Sequence, residues 1–177
     1  AGYGVVVASA ALLAGRGRIP DFLTTVVANV LLVAAAALIL EGTRLFCGSP
    51  GAHAIGRLAV ALSVVGFPWL TYVQPSFVHR TILANGLVAA LLGVAAWTAA
   101  HHRSRGERLL DVITSVALAC CAAAFGGRAA LKAAGVGGID LHDGDLTAAV
   151  ATLAGTLAAV IWTMTVLTSA NRRLTLE

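Results

Sequence analysis

Six predominantly apolar runs, at residues 2–14, 19–40, 58–72, 82–100, 109–125 and 146–170, constrain this chain more than any other feature. A helix needs about 20 apolar residues to cross a hydrocarbon layer ~30 Å thick, and most of the runs approach that length. Nothing in such a layer can satisfy exposed main-chain N–H and C=O groups, so each run must close its hydrogen bonds within itself as a helix. A membrane β-barrel would need alternating polar and apolar residues, which the runs lack. Composition agrees: 59% of residues are hydrophobic, 11% are charged, and the mean hydropathy is +0.89. A water-soluble domain carries about a quarter charged residues. The expected fold is therefore all-α, a polytopic transmembrane bundle of about six spans. Alanine, valine and leucine dominate over aromatics, which predicts slim and closely packed helices.

The polar segments report orientation. Residues His101 to Arg108 hold three arginines, and Asn171-Arg172-Arg173 follows the sixth run. Two spans separate these segments, so they share one side, which the positive-inside rule makes cytoplasmic. Glu41 to Arg57 then faces the same side. Seven Lys/Arg fall inside (Arg44, Arg57, Arg103, Arg105, Arg108, Arg172, Arg173) and five outside (Arg16, Arg18, Arg80, Arg128, Lys132). The first run opens with no basic segment before it, unlike a signal peptide. Pro20-Asp21 suits a helix start, while Pro68 is expected to kink the third span or end it early. The segment from Gly126 to Lys132 either continues the fifth helix or lies at the interface. No internal repeat is evident. Basic clusters of this kind between apolar runs set topology, so nucleic acid is not an expected partner.

Few polar groups lie within the runs. Asn29 and Asn85 either bond helix to helix or line a ligand pocket, and with Trp69 and Trp162 they form the expected pocket for a hydrophobic small molecule. Asp111, near Arg108, reads as an interfacial, paired carboxylate. Trp69, Tyr72 and Trp97 fall near span ends, as interfacial anchors do. Asp140, His142, Asp143 and Asp145 are the candidate ligands for an outer-side divalent cation; the alternative is a solvated loop in which Asp145 caps the sixth helix. No histidine pair sits at membrane depth, so haem is not expected. No catalytic constellation appears, and Cys120-Cys121 reads as apolar filler. Ala151, Gly155 and Ala159 give the sixth span a smooth face for packing, within the bundle or in a homodimer.

Two segments carry a resemblance. Arg16-Gly17-Arg18-Ile19-Pro20-Asp21-Phe22-Leu23 leads through Ala28-Asn29 to Glu41-Gly42-Thr43-Arg44-Leu45-Phe46, and Phe67-Pro68-Trp69-Leu70-Thr71-Tyr72 ends the third run. Together with the exit helix Met164 to Leu174, these segments resemble the multi-helix membrane domain that precedes GGDEF domains in bacterial diguanylate cyclases. The resemblance implies an inner-membrane sensor over residues 1–173 that signals to a cytoplasmic cyclic-di-GMP-producing domain and works as a dimer. Residues 174–177 would begin a linker or be a cloning remnant. Histidine kinases carry similar sensors, and a small transporter or channel is the rival reading. The orientation has a direct test: alkaline phosphatase fused at Arg105 or at the C-terminus is expected to be inactive, and activity at either position would reverse it.

Overall fold

The computed structural model describes residues 2–15, 17–49, 53–101 and 108–135, and over them the secondary structure is helical. Helix α1 spans Gly2–Ala14. Helix α2 covers Phe22–Cys47, opening with a π-helical segment, Phe22–Val27, before the α-helical Ala28–Cys47. Helix α3 covers His53–Val73, with Trp69–Val73 again π-helical. Helices α4 and α5 are Phe77–His101 and Arg108–Ala133. Four of the five, α2 to α5, contain stretches long and apolar enough to cross a membrane, and α1 is a shorter apolar helix. The sixth run lies outside the described residues, and so do Trp162, the Asp140–Asp145 cluster and the Ala151–Gly155–Ala159 face.

Four boundaries depart from the sequence expectation, two of them the start of α4 at Phe77 rather than Ile82 and the end of α5 at Ala133 rather than Phe125. The second helix does not stop at Leu40 but runs on to Cys47, and the third starts at His53 rather than Leu58. Arg44 is therefore not a loop cation; it is buried in the last turn of α2. Gly48 ends that helix at φ 64°, a left-handed conformation open to glycine at little steric cost, while the Ser49 N–H returns to the Arg44 carbonyl at 3.0 Å. Pro68 does not end α3. It removes one main-chain donor, and the helix continues by widening, so that the Gln74 N–H reaches back five residues to the Trp69 carbonyl at 3.0 Å. Gly126 to Lys132 continues α5.

Small residues fix the packing. An added Cβ on Gly93 would lie 3.9 Å from the Ala122 Cβ, and one on Gly126 would lie 3.6 Å from the Ala89 Cβ. Ala89-x-x-x-Gly93 thus faces Ala122-x-x-x-Gly126 across the antiparallel α4–α5 pair, the most extensive helix contact among the described residues. In lipid there is little hydrophobic drive between helices, and such close approach supplies dispersion contact instead. Gly56 meets Ala37 between α3 and α2 in the same way, and Gly66 admits Leu83 of α4. Helix α2 packs on α1, α3 and α4, around Val33, Leu40, Phe67, Leu91 and Ala95. Leu58, Leu62, Val65 and Tyr72 of α3 are exposed, as suits a helix flanked by lipid.

The boundaries also disclose a periodicity absent from the sequence reading. The hairpin α4–α5 begins 55 residues after α2–α3 at both of its helices, 77 against 22 and 108 against 53. Helices α2 and α4 each follow a Pro-x-Phe element, Pro20-Asp21-Phe22 and Pro75-Ser76-Phe77. Each then carries Thr-x-x-Ala-Asn, at Thr25–Asn29 and Thr81–Asn85. Because α3 is antiparallel to both, through Gly56–Ala37, Gly66–Leu83 and Arg80–Thr71, α2 and α4 run parallel.

Replacing Gly56 by Leu would drive a branched side chain toward Ala37, whose Cβ already lies 3.3 Å from an added Cβ. The expected loss is about 1–3 kcal/mol, read as reduced resistance to denaturing detergent. Gly86→Ala, where nothing lies within 4 Å of an added Cβ, is expected to leave stability unchanged or raise it slightly.

Candidate functional site

Buried polar side chains gather toward one end of the bundle, the end at which α2 and α4 begin and α1 and α3 finish. The buried members are Ser9, Thr24, Thr25, Thr81, Asn85 and, in the last turn of α5, Lys132, with Asn29 half-buried. Asn29 stands seven residues into α2 and Asn85 eight into α4, which at 1.5 Å per residue places both about 10–12 Å from this upper end. Both π-helical segments lie at the same end. A π turn widens the helix and offsets its carbonyls, a distortion common at functional sites.

The hydroxyls here are largely committed to main-chain carbonyls. Ser9 Oγ donates to the Ala28 carbonyl at 2.8 Å and ties α1 to α2. Thr24 donates to Asp21, Thr71 to Phe67 at 2.6 Å, and Thr81 to Phe77 at 3.0 Å. Arg80 Nη1 donates to Thr71 Oγ1 at 3.4 Å, linking α4 to the π-helical end of α3. These bonds satisfy polar groups that would otherwise cost several kcal/mol each in lipid.

The two asparagines do not bond helix to helix. Asn29 Nδ2 donates to the Thr25 carbonyl at 2.5 Å, and Asn85 Nδ2 to the Thr81 carbonyl at 2.7 Å. Each amide thus spends one N–H on its own helix, four residues back. Only the nitrogen can donate to a carbonyl, so each pairing also fixes which amide atom is the oxygen. Neither oxygen accepts a hydrogen bond from the described residues, although Asn85 is only 5% exposed. The Thr25 hydroxyl, 9% exposed, is likewise without a hydrogen bond among the described residues.

Trp69 does not join this interior group. It is 55% exposed on the outer surface of α3, beside exposed Tyr72, in the position of an interfacial anchor. Trp97 is also exposed, near the opposite end of α4, stacked on His101 with ring centroids 3.7 Å apart. Cys121 is buried and Cys120 exposed in the middle of α5.

A second polar group closes the lower end. His53, the first residue of α3 rather than a loop residue, holds Nδ1 2.9 Å from Glu41 Oε2, and Arg44 Nη1 lies 3.8 Å from Glu41 Oε1. Both Glu41 oxygens are inaccessible and without a hydrogen bond, and the His53 contact, an ion pair when the imidazole is protonated, is the one that joins α2 to α3. Among the described residues no three His, Cys, Asp or Glu side chains gather as a metal site would need. Comparison with protein families, curated proteins and solved structures found no match to this chain.

The sequence pointed to Asn29 and Asn85 but not to the π turns, to Ser9 or to the Glu41–His53 clamp. The repeated Thr-x-x-Ala-Asn was the signal available for the level at which the site lies. Asn85→Leu removes an amide whose hydrogen bond returns to its own helix, and is expected to be neutral or to stabilise by up to about 1 kcal/mol. Ser9→Ala breaks an interhelical bond and is expected to cost about 0.6 kcal/mol, at most ~1.7. Unfolding from lipid–detergent bicelles checks both, and a large loss in Asn85→Leu would mean the amide serves the fold.

Proposed function

We propose that this chain is a membrane-embedded sensory domain that passes a ligand-dependent helix movement to a cytoplasmic output domain, a diguanylate cyclase by its sequence resemblance. The observation that carries the reading is the concentration of buried polar groups, Asn85 among them and half-buried Asn29 beside them, near the starts of α2 and α4. By the positive-inside rule the charge distribution favours the outside for that end and the cytoplasm for the C-terminus, and the resemblance implies a bacterial inner membrane. The site and the output would then sit at opposite ends of the bundle, joined by helices that touch through small side chains and so can shift against each other. A ligand moves such an equilibrium only by binding one arrangement more tightly than the other. The domain itself has no catalytic role in this reading. A homodimer brings two output domains together, with Ala151, Gly155 and Ala159 in the contact.

A second reading, a small transporter, draws support from the tandem α2–α3 and α4–α5 hairpins, since parallel repeats about a site within the membrane are a transporter architecture.

Fusing a GGDEF domain after Arg173 separates the two. The fusion is expected to make cyclic-di-GMP in membrane vesicles at a rate that Asn85→Leu changes several-fold, and that a flexible glycine-serine insertion after Arg173 uncouples. Equal rates in all three fusions would remove the sensor reading and leave the transporter.

A further inference from the structure

We infer that the lipid-facing surface of this bundle fits a thin bilayer, with a hydrocarbon layer of about 24 Å rather than the usual ~30 Å. The inference needs only the membrane-spanning helices and is independent of the sensory reading.

Two exposed aromatic positions mark the edges. An added Cβ on Gly66 would lie 2.7 Å from Leu83 Cδ2, and Arg80 Nη1 donates to Thr71 Oγ1 at 3.4 Å. Trp69, between Gly66 and Thr71, therefore stands level with Thr81 of α4. Trp69 and Tyr72 are more than half exposed there, and Trp97 is 66% exposed on α4 itself. Indole rings on a lipid-facing surface settle at the headgroup boundary. From Thr81 to Trp97 the α-helix is continuous and carries no charged residue, and its rise over that stretch is about 24 Å.

Charged and polar groups close the layer from both sides. Arg57 of α3 is exposed and stands about 18 Å along the helix from Trp69. A hydrocarbon layer of ~30 Å reaching down from the Trp69 level would end about 12 Å beyond Arg57. An extended arginine carries its guanidinium only about 6 Å from Cα as it snorkels. A layer of about 24 Å ends at the level of Trp97, within that reach. Nor can the layer grow upward. Gln74 and His79, with His79 Nδ1 2.6 Å from Ser76 Oγ, are exposed just above Trp69 and would enter lipid. On α5 the Gly126–Ala89 and Ala122–Gly93 contacts set Arg128 level with Leu87 and Lys132 with Leu83, already about 9 and 3 Å below the Trp69 level. Lys132 is buried and Arg128 half-buried, so their stems lie against the bundle, and a thicker layer would sink both further.

A thickness series tests this on the unmodified protein. Resistance to thermal unfolding is measured in nanodiscs of dimyristoleoyl-, dipalmitoleoyl-, dioleoyl- and dierucoyl-phosphatidylcholine, in order of increasing thickness. Stability is expected to peak in one of the first two lipids and to fall beyond it. A peak in dioleoyl or dierucoyl lipid, or no dependence on thickness, would overturn the fit. Arg57→Leu removes the lower limit and is expected to move the peak at least one lipid toward the thicker end, while Arg57→Lys, which can still snorkel, leaves it in place. An unmoved peak in Arg57→Leu would overturn the limit assigned to Arg57. Single-tryptophan variants, Trp162→Phe combined with Trp97→Phe or Trp69→Phe, locate each indole by quenching. Lipids brominated near the carbonyl should quench both at least about twofold more than lipids brominated near the terminal methyl. Equal or stronger quenching of either indole by the deep bromine would overturn the aromatic boundary.

Discussion

Main-chain approach between α4 and α5, allowed by Ala89 and Gly93 on one helix and Ala122 and Gly126 on the other, sets the geometry on which the bundle depends. Hydrophobicity cannot do this in lipid, since a leucine gains little by leaving acyl chains for another leucine. Contact must come from dispersion between closely spaced backbones and from the few hydrogen bonds that bridge helices. Helix α4 joins this seam to α2, and α2 gathers α1 through the Ser9–Ala28 bond and α3 through Gly56–Ala37 and the Glu41–His53 pair. The α1–α2, α2–α3 and α4–α5 junctions each include a small residue or a polar bond, while α2 and α4 meet in the apolar core around Val33, Leu40, Val88 and Leu91.

That economy explains where the polar groups went. At the lower end they form an ion-pair clamp between α2 and α3, with Glu41 sealed from solvent. At the upper end they include hydroxyls turned back on carbonyls and two amides only half satisfied. The clamp places the Glu41 carboxylate between Arg44 on its own helix and His53 of α3, with both oxygens buried and without a hydrogen bond. A helix that needed only to pack would carry Ala or Leu in place of the half-satisfied amides. The two π turns lie at that same end, where widened helices are easiest to shift.

The tandem arrangement gives this end further meaning. The two hairpins share a 55-residue offset in Pro-x-Phe and in their helix starts, while Thr-x-x-Ala-Asn recurs after 56, one residue further into α4.

The helical class and four membrane-length helices among the described residues were legible in the chain, because apolar runs in a medium without water leave helices as the solution and lengths near 20 residues mark the spans. Asn29 and Asn85 were legible as well, since an amide inside such a run is costly wherever it points. Their partners were not. Whether an amide bonds its own helix or a neighbour depends on rotation about the helix axis, which apolar sequences encode weakly when lipid and protein are equally apolar. Tertiary contact decided it, turning both amides to the threonine carbonyls one turn back. The same contact carried α2 past Glu41 to Cys47, because Arg44 and Glu41 could remain helical once His53 stood opposite them. Pro68 is the plainest case. From sequence it breaks a helix, and in the structure a five-residue return bond carries α3 on to Val73, against Arg80 of α4.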